Sequence, residues 1–133
     1  LIAAIALAIL YFGLMELMLI ESQRALREAQ RFRSKIIATT LAENAADLAA
    51  EQLCTSFAAT VDYANAEGTM TGTMTRNPPP SDYPKKSDFV IDVTGVSSGV
   101  APATAKVKLD GEVDQESASS PPQVHIKYAY HSQ

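Results

Sequence analysis

LIAAIALAILYFGLMELMLI, residues 1–20, is an apolar run with one ionisable side chain, Glu16. The polar stretch that follows contains no helix breaker, so the helix is expected to continue well beyond residue 20. At ~1.5 Å per residue, twenty helical residues span ~30 Å, about the hydrocarbon thickness of a bilayer. The run therefore reads as a transmembrane helix or as the core strand of a helical assembly. A secretory leader fits poorly, because it would carry basic residues ahead of a shorter apolar core and a small-residue cleavage site behind it. No Met precedes Leu1, and the expectation is that a leader has been removed.

Outward from this run, residues 21–58 contain neither Pro nor Gly. Leu26, Ala29, Phe32, Ile36, Ile37, Leu41, Ala45, Leu48, Leu53 and Phe57 recur at helical spacing and mark one apolar face. The Ala-rich stretch 38–59 suits close helix–helix approach. Break signals first appear at Thr60-Val61 and Glu67-Gly68. These features predict one helix of ~55–60 residues, ending near residue 58.

Beyond residue 60 the period changes to two. Thr69–Arg76 alternates Thr with Met or Gly, and Phe89, Ile91 and Val93 alternate with polar or smaller residues. Ala105, Val107, Leu109 and Val113 alternate with Lys106, Lys108, Asp110 and Glu112, with Gly111 as a bulge. Val124, Ile126, Tyr128 and Tyr130 alternate with His125, Lys127, Ala129 and His131. Four half-buried antiparallel strands are predicted, laid on the upper half of the helix. Pro- and Ser-rich loops at 77–84, 97–102 and 117–122 separate them. The fold class is thus α+β, with a helix over about 1–58 and a four-stranded antiparallel sheet.

Composition narrows the function. The 133 residues carry a net charge of −4 and no basic cluster interleaved with aromatics, which argues against a nucleic-acid partner. Cys54 is the only cysteine, so an intrachain disulfide is excluded, and it reads as a small buried hydrophobe. No nucleophile–base, metal-ligand or phosphate-loop spacing appears, and no catalytic residue, cofactor site or metal site is assigned. His125 and His131 are expected on the outward face of the last strand. The alternating acids Asp110, Glu112, Asp114 and Glu116 could gather round a hard cation, but they lack a wrapping turn, and edge-strand solubilisation is the better reading. Thr69–Thr75 and Ser117–Ser120 would suit O-glycans if they face outward, whereas no Asn-x-Ser/Thr sequon exists.

Charge along the helix is segregated. Arg27, Arg31 and Lys35 follow one another at i+4, and Glu43, Asp47 and Glu51 resume that spacing. Arg24 and Arg33 strengthen the basic block, and no Lys or Arg occurs from 36 to 75. Two readings stand: a solvated face, or a zipper in which an identical parallel helix slid by ~16 residues, ~24 Å, sets acids beside bases. The positive-inside rule would place the basic collar in the cytoplasm unless a removed leader outweighed it. Glu16 in an apolar helix costs a few kcal/mol unless interfacial, protonated or paired with a neighbouring chain. Gly13 lowers helix propensity by ~1 kcal/mol relative to Ala, giving local unwinding or close packing.

An apolar opening of about twenty residues, a long helix including ATTLAENAADLAAEQL at 38–53, and a closing antiparallel sheet together resemble the type IV pilin superfamily. The chain departs from that family at Ile5, where a glutamate is usual, and at Ser22, where many bacterial members have Pro. The resemblance implies cleavage by a prepilin peptidase, handling by pilus assembly machinery, and polymerisation of identical subunits from the inner membrane into an extracellular filament. The assembly interface expected on this reading comprises Leu1, Ile5, Leu10, Gly13, Glu16, Leu19, Glu21, Arg24, Arg27, Arg31, Lys35, Glu43, Asp47 and Glu51. Residues 1–25 would form the membrane and filament core, 26–60 an amphipathic continuation and 61–133 a surface-exposed β domain. The alternatives are a membrane-anchored extracytoplasmic interaction or sensor domain, and a pseudopilin of a type II secretion system.

Overall fold

A computed structural model describes residues 1–53 and 55–133, so the reading of Cys54 lies outside the described residues. The fold is α+β. One helix, α1 (Ile2–Glu51), precedes β1 (Ala58–Ala64), β2 (Gly68–Arg76), β3 (Lys85–Ser97), β4 (Thr104–Gln115) and β5 (Gln123–Ser132). The strands form one sheet in the order β1-β2-β3-β4-β5, every neighbouring pair antiparallel. The chain divides into two compact units, Leu1–Arg33 and Ser34–Gln133, with the boundary inside α1.

In the first unit every residue is exposed. Its apolar span is long and apolar enough to cross a membrane.

The second unit holds the core. Ala38, Leu41, Ala42, Ala45, Ala46 and Ala49 of α1, with Leu53 just after it, are buried against one face of the sheet. That face supplies Val61, Met70, Met74, Phe89, Ile91, Val93, Ala105, Val107 and Val113. Small side chains at i, i+4, i+7, i+8 and i+11 from Ala38 bring the helix backbone close to the strands. Gly95 completes the fit. A Cβ there would collide with the Ala38 carbonyl and the Ala42 nitrogen, so the helix crosses the sheet at that point. The Ala-rich stretch thus faces the chain's own sheet from 38 to 49, where the sequence suggested contact between helices. Leu48, placed by spacing on the same apolar face, is 40% exposed.

α1 ends at Glu51, seven residues earlier than expected. Its last turn has no basic residue, and its end tightens through Gln52 N–H to Ala49 O (3.2 Å) and Leu53 N–H to Ala50 O (3.1 Å). Arg76 at the end of β2 then serves the helix end. Its Nη1 donates to the Leu53 carbonyl at 2.6 Å and its Nε to Ser87 Oγ at 2.7 Å. The guanidinium also lies 5.5 Å from the centroid of the Phe57 ring. A cation beside terminal carbonyls offsets the negative end of the helix dipole.

The sheet has five strands rather than four. The added strand, β1, is AATVDYA, whose alanines continue the helical spacing while Thr60, Val61 and Tyr63 favour extended backbone. Asn65 Oδ1 accepts from the Glu67 and Gly68 N–H groups at 2.9 and 3.0 Å and turns the chain into β2.

The last strand also differs from the expected pattern. The register shifts between Asp110 and Gly111, leaving Lys127 as an extra residue on β5. Because directly paired residues share a face, Ile126 and Val124 lie with Gly111 and Val113, toward α1, while Tyr128 and Tyr130 lie with Asp110 and Lys108 on the opposite face. His125 pairs with Glu112 and His131 with Val107, so the two histidines occupy opposite faces rather than one outward face. Nor is β5 half-buried: Val124, Ile126, Tyr128 and Tyr130 are all exposed.

Candidate assembly surfaces

Helical periodicity places the expected interface residues without any irregularity of backbone. Leu1, Ile5, Leu10, Gly13, Glu16, Leu19, Glu21, Arg24, Arg27 and Arg31 are all exposed in the Leu1–Arg33 unit. Leu1 is 98% exposed, and residues such as Leu10, Phe12 and Leu19 present more than half of their surface. Contiguous apolar surface on this scale requires lipid or protein against it. The side chains encircle the helix, which is the pattern of a segment covered on every side rather than along one stripe.

In the Ser34–Gln133 unit, Lys35, Glu43, Asp47 and Glu51 are exposed on α1. None of these four, nor any of Glu16, Glu21, Arg24, Arg27, Arg31 and Arg33, forms an ion pair among the described residues. The ion pairs that do form lie on the sheet face away from α1: Lys127 with Glu112 (3.3 Å) and Asp88 (3.8 Å), and Lys86 with Asp114 (3.9 Å). These break up the acid alternation of β4. No group of three or more potential metal ligands occurs among the described residues.

Asp47 and Glu51 line something that spacing alone did not reveal. Together with Asn44 and Leu48 of α1, Tyr63 of β1, Asn65 of the turn after β1, and Met70 of β2, they line an open groove of about 590 Å³. Its apolar surface comes from Leu48, Tyr63 (52% exposed) and Met70, and its rim from the two carboxylates. The strand that forms one wall is β1, the element missed in the sequence. A reading of Thr60–Tyr63 as extended would have located it.

The outer sheet face carries Thr69, Thr71, Thr73 and Thr75 in a row, each exposed, as outward-facing positions for O-linked modification would require. Comparison with protein-family models, curated proteins and solved structures found no match to this chain.

Proposed function

We propose that the chain is the structural subunit of a type IV pilus-like extracellular filament, assembled through its hydrophobic N-terminal helix. The observation that carries this reading is the contrast within α1. From Ala38 to Ala49 the helix buries a stripe against its own sheet, whereas residues 1–33 have no buried member and the span 1–20 is apolar on all sides. The core of the Ser34–Gln133 unit is complete without those residues, so their apolar surface serves lipid first and other chains afterwards. Identical subunits are the simplest partners, and the resemblance to pilins adds a prepilin peptidase and the assembly machinery. The role is structural rather than enzymatic on this account.

Glu16 fits such a core if it meets a positive group of another subunit, either the Leu1 ammonium or the Arg24–Arg33 collar. A second reading, a membrane-anchored extracytoplasmic interaction domain, is favoured by the one apolar span among the described residues, which suffices as an anchor. Electron microscopy of the purified full chain after detergent removal separates them. Filaments support the first reading, and dispersed particles with no filament support the anchor.

A further inference from the structure

We propose that the groove between α1 and β1 receives, in the assembly, Arg31 and Lys35 of the Arg27–Arg31–Lys35 row of a second copy, displaced by 16 residues along a parallel α1, with Arg27 meeting Glu43 beside the groove. This inference rests on the homopolymeric reading above and specifies its register.

Charge is the first argument. Residues 36–75 contain Glu43, Asp47, Glu51, Asp62 and Glu67 and no Lys or Arg. Residues 24–35 contain Arg24, Arg27, Arg31, Arg33 and Lys35 against one acid, Glu28. Neither set is neutralised by ion pairs among the described residues. Each copy therefore presents both halves of a complementary pair.

Spacing is the second. Arg27, Arg31 and Lys35 recur at intervals of four, and so do Glu43, Asp47 and Glu51. One shift of 16 residues aligns all three pairs at once, and shifts of 12 or 20 align only two.

The groove's lining is the third. An arginine or lysine laid in it places its aliphatic stem along Leu48 and Met70 and its cation at Asp47 or Glu51. The exposed Tyr63 ring is positioned to stack with a guanidinium. A donor surface and an acceptor surface at different places on one chain form a heterologous contact. Such contacts propagate into open helical polymers when the rotation does not close.

Lys35 makes the test direct, because it is the only lysine before Lys85. Lys35 and Glu51 lie on one helix ~24 Å apart, beyond the reach of a zero-length cross-linker within a chain. Carbodiimide treatment of assembled full-length chain, followed by peptide mass spectrometry, should therefore give intermolecular Lys35–Glu51 and Lys35–Asp47 amides. Reversing the basic block (Arg27→Glu, Arg31→Glu, Lys35→Glu) should raise the critical concentration for assembly about ten-fold. Adding Glu43→Lys, Asp47→Lys and Glu51→Lys should restore it and regenerate cross-links between positions 35 and 51. Assembly with Lys35 linked only to other acids, or equal assembly of all variants, overturns the register and leaves the filament reading standing. A full chain that never assembles overturns both.

Discussion

Residues 1–33 and residues 34–133 use apolar side chains in opposite ways. The second unit buries Leu41, Leu53, Phe89 and Ile91 to 3% exposure or less and holds its own core. The first leaves Leu10, Phe12 and Leu19 more than half exposed. One helix belongs to both regimes, so on the proposed reading hydrophobicity in this chain has two purposes: folding after residue 34, and association before it. A substitution should therefore be felt in one property or the other according to which side of that boundary it falls on.

The largest effect on folding is expected at Gly95. A Leu there would drive its side chain into the Ala38 carbonyl and the backbone of Ala42, which cannot yield without lifting the helix off the sheet. Gly95→Leu should cost at least about 3 kcal/mol, measured by denaturant titration of the full chain in mild detergent. A near-neutral result would mean that the helix does not seat at this point.

Equivalent substitutions then sharpen the contrast. Leu53→Ala empties a fully buried site and should lower unfolding free energy by ~2–5 kcal/mol. Leu10→Ala should leave that transition within ~0.5 kcal/mol and act only on assembly. Similar losses of domain stability from both would erase the distinction.

Arg76→Met keeps an aliphatic side chain but removes the donors to Leu53 O and Ser87 Oγ together with the cation beside the Phe57 ring. A loss of ~1.5–3 kcal/mol is expected in the same titration. The smallest effect belongs to Lys127→Ala, which breaks two exposed ion pairs and should change stability by less than ~1 kcal/mol, falling further in high salt.

How far the sequence discloses this molecule depends on whether period alone decides the question. The helix, its apolar N-terminal span, the α+β class and strands β2 to β4 follow from periods of 3.6 and 2 that packing does not override. β1 was hidden because Ala58 and Ala59 extend the alanine spacing of α1, and alanine prefers helix unless a neighbouring strand is there to pair with it. The early end of α1 was hidden because its cap comes from Arg76, more than twenty residues away. The alternation of β5 was misassigned because the extra residue at the Gly111 bulge is Lys127, on the partner strand. Of the candidate surfaces, the charge rows were legible in full, but the groove beside Asp47 and Glu51 required the position of β1.

The central claim is that association resides in the apolar N-terminal segment and folding in the rest. Sedimentation analysis in detergent-free buffer, comparing the full chain with a chain lacking residues 1–25, tests it most directly. The account predicts a soluble, folded monomer for the truncated chain and large assemblies for the full one. A truncated chain that still polymerises under native conditions would contradict it.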